Sequence, residues 1–131
     1  MKPKICIVIS TYNYYITNQI YKSAIKELEH LGLKKIETVK VPGAFEIPVT
    51  IAKLIKKFDG FIAIGCIIKG ETANFDVISK AITDGIMQLS ITHKKPIGNS
   101  IITSFNRSQA EERFDKGIEA ARAVSEVLKI K

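Results

Sequence analysis

Seven residues near the start of the chain, Lys-Ile-Cys-Ile-Val-Ile-Ser at positions 4–10, form a short run that is β-branched and apolar without alternation. A strand with one wet face alternates polar and apolar residues, so an unbroken apolar run belongs in a sheet covered on both sides, as parallel sheets are. Parallel neighbours need a crossover between them, usually a helix. Ile16, Ile20, Ala24, Leu28 and Leu31 supply one at helical spacing, and Gly32 stands where such a helix would stop. The pattern repeats: positions 34–40 read as a second strand, Val41-Pro42-Gly43 as a turn, and Ile47, Ile51, Leu54 and Phe58 as a second helix with Pro48 in its first turn. Gly60 to Ile68 is a third strand, and Phe75, Ile78, Ile82, Ile86 and Leu89 mark a third helix. Pro96 to Thr103 is a fourth strand, followed by a polar stretch from Ser104 to Asp115 and a last helix carrying Ile118, Ala121, Val124 and Leu128.

Four βα units, joined by right-handed crossovers, predict a flavodoxin-like three-layer αβα sandwich with a four-stranded parallel sheet. The length of 131 residues predicts one domain, 1–131. No apolar run approaches the roughly 20 residues of a membrane-spanning helix, so no membrane partner is expected. The segment Lys2 to Ser10 has neither the length nor the cleavage site of a signal peptide, which makes the cytoplasm the expected compartment. Cys6 and Cys66 each lie in an apolar strand-like run, and buried reduced thiols fit them better than a disulfide or a metal site. The net charge is +7, but 17 of the 20 basic residues are lysines spread along the chain. That distribution argues against a nucleic-acid partner and suits a small anionic substrate, phosphate being the obvious class.

Ligands of such folds bind beyond the carboxyl ends of the strands, so the informative residues lie in the loops after them. The first loop offers Tyr12, Tyr14 and Tyr15 around Asn13; a ring there can stack on a planar heterocycle or simply face solvent. The second, Pro42 to Glu46, places small residues beside a carboxylate, and Glu46 reads equally as a ligand contact or as a first-turn acid answering the helix dipole. In the third, Gly70 to Asn74, free N–H groups and the Thr72 hydroxyl before a helix can cradle a phosphate, a weak signal when taken alone. Arg113 and Lys116 in the last connection are phosphate partners or idle surface cations.

Together the loops carry a resemblance. IVISTYNYYIT, VPGAFEIP, IAIGCIIKGETANFD, PIGNSIIT and KGIEAARA occur in that order over nearly the whole chain and resemble the lumazine synthase family. The resemblance implies condensation of 5-amino-6-(D-ribitylamino)uracil with 3,4-dihydroxy-2-butanone 4-phosphate to 6,7-dimethyl-8-ribityllumazine, a step of riboflavin biosynthesis. It implies no cofactor and no metal. By motif position Tyr12 with Asn13 would face the pyrimidine, Ala44, Phe45 and Glu46 the ring and ribityl chain, and Cys66, Ile67 and Ile68 would line the ring through backbone groups. Glu71 and Thr72 fall on the phosphate loop, Arg113 and Lys116 on the phosphate-binding cations, and Asn99 on the position that a neighbouring subunit presents to the pocket.

Two positions depart from the family pattern. Asn74 stands where the family has the histidine suited to proton transfer, and an amide does not exchange protons near neutral pH. The segment between Arg113 and Lys116 is shortened. Two readings follow: a synthase in which orienting amine and ketone supplies most of the acceleration, and a homologue that binds a ribityl-bearing pterin-like or flavin ligand without turnover. The resemblance also implies a homopentamer with shared active sites. With Phe114-Asp115 in place of a glycine-containing turn, the expected form is an isolated pentamer rather than a larger shell.

Overall fold

A computed structural model describes residues 2–131. Four strands, β1 (Lys4–Ser10), β2 (Lys35–Val41), β3 (Gly60–Ile68) and β4 (Ile97–Ser104), pair in the order β2-β1-β3-β4, and every pairing is parallel. The helices are α1 (Tyr14–His30), α2 (Ile47–Leu54), α3 (Phe75–His93), α4 (Arg107–Glu111) and α5 (Lys116–Leu128). This is the flavodoxin-like three-layer arrangement.

The two-sided burial read from KICIVIS is present. Ile5, Ile7 and Ile9 pack with α1 and α5 on one face, while Cys6 and Val8 pack with α2 and α3 on the other. All nine residues of β3 are buried, with Ile62, Ile64, Cys66 and Ile68 on the first face and Phe61, Ala63 and Ile67 on the second. Edge strand β2 is different: most of it is solvated, and Lys35 and Lys40 discourage further pairing.

Close approach fixes the α1 and α5 pair. A Cβ on Gly117 would overlap the Ile20 carbonyl oxygen, the Ser23 hydroxyl and the Ala24 nitrogen, so only glycine allows this contact. Phe114 anchors the shortened segment before α5: its carbonyl accepts a hydrogen bond from Ser23 Oγ at 2.8 Å, and its ring packs on the core.

Two elements differ from the sequence reading. The second helix ends at Leu54 rather than running to Phe58, and Lys95 Nζ donates to the Ile55 carbonyl at 2.6 Å, satisfying a backbone acceptor that the ended helix leaves open. The stretch read as polar connection contains α4, started by Asn106, whose Oδ1 accepts from the Gln109 N–H at 3.0 Å.

Candidate functional site

The crossover geometry selects one place on the sheet. The chain leaves β1 for α1 on one face and leaves β3 for α3 on the other, although β1 and β3 are neighbours. Diverging connections open a crevice above the carboxyl ends of those two strands. A cleft of about 200 Å³ lies there, lined by Tyr12, Gly43, Ala44, Phe45, Cys66, Ile67, Ile68, Glu71, Thr72 and Ile78.

Strand lengths add a polar wall. The register pairs Ile9 with Ile64 and β1 ends at Ser10, whereas β3 continues to Ile68 with β4 beside it. Cys66, Ile67 and Ile68 therefore have a strand on one side only, and on the other side their backbone has no strand partner. Tyr12 is held above this wall by an extension of the β1–β2 pairing, in which Thr11 N–H donates to the Val41 carbonyl at 2.8 Å and Tyr12 N–H to the Pro42 carbonyl at 3.0 Å. Tyr12 is 56% exposed, which leaves its ring accessible for stacking. The next residue, Asn13, turns the chain into α1 with φ 57°, a left-handed conformation that asparagine tolerates better than most residues.

On the second loop, missing atoms matter. A Cβ on Gly65 would sit 3.1 Å from Ala44 Cβ, so glycine in β3 lets the loop press against the sheet and bring Ala44 and Phe45 to the cleft. Phe45 is exposed at the rim. Glu46 does not line the cleft: its Oε1 accepts from the Gly43 N–H at 2.9 Å, so this carboxylate closes the turn at the start of the helix.

The third loop makes one turn over Lys69–Glu71 and enters α3 at Phe75. Thr72 Oγ1 accepts from the Asn74 N–H at 3.3 Å. Asn74 is exposed, precedes the helix and makes no side-chain capping bond. Glu71 is the polar centre of the site. Its Oε1 accepts from Asn13 Nδ2 at 3.1 Å, and its Oε2 meets Arg107 Nη2 at 2.9 Å. Arg107 also donates to the Tyr15 hydroxyl at 3.1 Å and lies 5.5 Å above the Tyr15 ring, and the same hydroxyl is 3.1 Å from Glu111 Oε1. In the sequence Tyr15 is one ring among three, and no apolar spacing or motif block marks Arg107. The signal available for Arg107 was the Asn106-x-x-Gln109 helix start, which puts it at the first position of α4.

Both thiols are buried. Burial pushes Cys6 up to about 12, helped by the charge of Glu37. Cys66 is pushed up to about 11 by burial and by the Glu71 charge, against the opposing effects of Arg107 and a hydrogen bond from Asn13. Burial thus favours the protonated form of both thiols at neutral pH, which disfavours a thiolate nucleophile.

Other motif positions lie away from this cleft. Asn99 is exposed on β4, with its Oδ1 accepting from the Ile101 N–H at 2.9 Å. Arg113 lines a separate cleft with Phe75, Thr103, Phe105 and Gln109. Lys116 opens α5 and approaches Glu119 at 3.8 Å. His30 and His93 are the last residues of α1 and α3.

A doubly wound parallel sheet with an exposed aromatic residue, strand-end backbone without a strand partner and a Glu-Thr loop at its switch point marks a candidate small-molecule site on an α/β protein of the flavodoxin-like kind. Residues 2–131 match the family model described as 6,7-dimethyl-8-ribityllumazine synthase, and the chain belongs to that family. It is 40% identical over 132 residues to the 6,7-dimethyl-8-ribityllumazine synthase of Methylibium petroleiphilum, covering 97% of this chain and 82% of that relative. The protein of the same name from Buchnera aphidicola is 41% identical over 140 residues, covering 98% and 87%. That of Desulfovibrio desulfuricans is 35% identical over 136 residues, covering 97% and 87%.

Proposed function

We propose that the chain condenses 5-amino-6-(D-ribitylamino)uracil with 3,4-dihydroxy-2-butanone 4-phosphate, forming 6,7-dimethyl-8-ribityllumazine and releasing phosphate. The observation that carries this reading is the convergence, in one cleft, of the Tyr12 ring, the free backbone of Cys66 to Ile68 and the Glu71-Thr72 loop. The pyrimidine stacks on Tyr12 and hydrogen-bonds along the β3 end, with Asn13 beside it and Ala44 and Phe45 against the ring and ribityl chain. Thr72 and the N–H groups leading into α3 take the phosphate. The 5-amino nitrogen attacks the ketone carbon and water leaves to give an imine; phosphate is then eliminated, and the ribitylamino nitrogen closes the second ring with loss of water.

Two substrates fixed face to face react at an effective concentration unreachable in solution, so orientation supplies most of the acceleration. Asn74 does not move the proton; it holds a water or the phosphate. Family membership supports this activity.

One domain, 1–131, carries the chemistry, supported by two core clusters built on the same four strands. The site is completed by a neighbouring subunit in a homopentamer that does not close into a shell. The cleft of about 200 Å³ supports sharing, because ligand pockets usually reach ~300–1,000 Å³. Asn99, Arg113 and Lys116, which lie outside the cleft of their own chain, are the residues a neighbour would supply. The cytoplasm is the compartment this reading assigns, and among the described residues no helix is long and apolar enough to cross a membrane.

A turnover assay with both substrates tests the activity through the product's absorbance. A rate well above the uncatalysed background is expected, and a rate equal to it overturns the proposal. Light scattering tests the assembly: a mass five times that of the chain is expected, and a monomeric mass removes the shared site.

A further inference from the structure

The loop assigned to phosphate contains a carboxylate. Glu71 lines the same cleft as Thr72, and a phosphate brought there meets like charge within the loop that is meant to hold it. The position of Glu71 nevertheless serves the site, because its Oε1 accepts from the Asn13 amide at 3.1 Å. Asn13 is the left-handed residue that turns β1 into α1 directly after Tyr12, so the Glu71 bond steadies the turn beneath the stacking ring.

Arg107 resolves this conflict. Its Nη2 meets the other Glu71 oxygen at 2.9 Å, so both carboxylate oxygens are engaged, one by an amide and one by a cation. The guanidinium is fixed in place by a second bond, from Nη1 to the Tyr15 hydroxyl at 3.1 Å, and by stacking 5.5 Å above that ring. The Arg107 side chain is 50% exposed, and of five guanidinium N–H donors only some are committed. Buried Cys66 on the cleft wall registers both charges in opposite senses, Glu71 raising and Arg107 lowering its pKa.

We propose that Arg107 is a positioning residue for the condensation: by neutralising Glu71 it lets the loop after β3 accept a phosphate while Glu71 keeps hold of Asn13. Arg107 acts through Glu71 and not as the main ligand of the anion. The inference rests on the assignment of that loop to the phosphate-bearing substrate, made above.

The test reads phosphate affinity and pyrimidine affinity separately on the intact oligomer, by calorimetry at fixed ionic strength, with inorganic phosphate as the anion probe. In Arg107→Ala the unpaired Glu71 carboxylate should weaken phosphate binding, and raise KM for the phosphate-bearing substrate, by about tenfold, with pyrimidine affinity changed by no more than about twofold. Arg107→Lys keeps the charge without the fork and should recover part of the loss. The deciding variant is the double one. Arg107→Ala with Glu71→Gln removes the repulsion at its source and should return phosphate affinity to within about threefold of the wild type.

A double variant as weak as Arg107→Ala overturns the proposal, because Arg107 would then be binding the anion itself. Equal loss of phosphate and pyrimidine binding in Arg107→Ala, unrecovered in Arg107→Lys, also overturns it in favour of a purely structural strap. Unchanged phosphate affinity in Arg107→Ala does so as well. Failure of the underlying assignment has its own mark: a wild-type protein that turns over both substrates and binds the pyrimidine, yet whose binding of inorganic phosphate is unaffected by Thr72→Ala, places the phosphate elsewhere and overturns both.

Discussion

The two ends of the sheet carry cavities of unequal size and unequal chemistry. At the amino ends of the strands a cleft of about 540 Å³ is lined by Lys2, Lys4, Lys35, Lys56, Lys57, Phe58 and Asp59 among others. At the carboxyl ends, the cleft beside Tyr12 holds about 200 Å³. The larger one is dominated by five lysines. Its only carboxylate, Asp59, accepts from the Lys4 N–H at 2.7 Å, and Lys56 and Lys57 follow the end of α2, where cations answer the helix dipole. The smaller one brings together an aromatic face, free backbone, a hydroxyl and a neutralised carboxylate on different elements. Convergent groups of several kinds, more than volume, distinguish a site that can orient two different substrates.

The largest effect expected from sharpening this contrast is a gain. Asn74→His should raise kcat by at least about tenfold, since a positioned general acid or base typically contributes 10²–10⁴-fold. Steady-state assays across pH 5.5 to 8 would show the new dependence near the histidine range of about 6.5. No gain in a folded variant would mean that another group already moves the proton. Next comes Tyr12→Ala, which should lose about 1–3 kcal/mol of pyrimidine affinity in calorimetry if the ring stacks as other base–aromatic contacts do. The matched pair Lys56→Ala and Lys57→Ala, at the opposite end, should leave that affinity within about twofold. Loss in the lysine variants, or none in Tyr12→Ala, would exchange the roles of the two clefts.

The smallest expected effect compares the two thiols. With Cys6 raised to about 12 and Cys66 to about 11, both are protonated at pH 8 and buried, so both should react slowly with a thiol reagent. Cys66, on the cleft wall, should be the faster of the two, and bound pyrimidine should slow it further while leaving Cys6 unchanged. Above about pH 9 the unfolded chain releases thiol protons that the folded chain retains until about 11 or 12, so these two groups lower stability as pH rises through that window.

Much of this architecture was legible because it rests on local pattern. KICIVIS and GFIAIGCII are apolar without alternation, and that alone places β1 and β3 in the middle of a covered parallel sheet, where the switch point must fall. The motif blocks point to Tyr12, Ala44, Phe45, Cys66, Ile67, Ile68, Glu71 and Thr72, which line one cleft. Other features were hidden for identifiable reasons. The five-residue α4 is too short to show an apolar stripe, so only its Asn106 cap announces it. The Glu71–Arg107 contact joins the loop after β3 to the first residue of α4, far apart in sequence, and no periodicity encodes it. The early stop of α2 is accompanied by a bond from Lys95, on another connection, to the Ile55 carbonyl, which no local pattern encodes. Glu46 is ambiguous from sequence because a first-turn acid and a ligand carboxylate look alike; in the fold its Oε1 accepts from the Gly43 N–H, the contact of a first-turn acid.

On the proposed function, the smaller cleft at the carboxyl ends of β1 and β3 receives the pyrimidine. A crystal structure of the protein with 5-amino-6-(D-ribitylamino)uracil tests it most directly. The ring is expected to stack on Tyr12 with its polar edge on the backbone of Cys66 to Ile68, and the cleft among Lys2, Lys35, Lys56 and Lys57 to hold no pyrimidine. Pyrimidine density among those lysines, with the Tyr12 face bare, would contradict it.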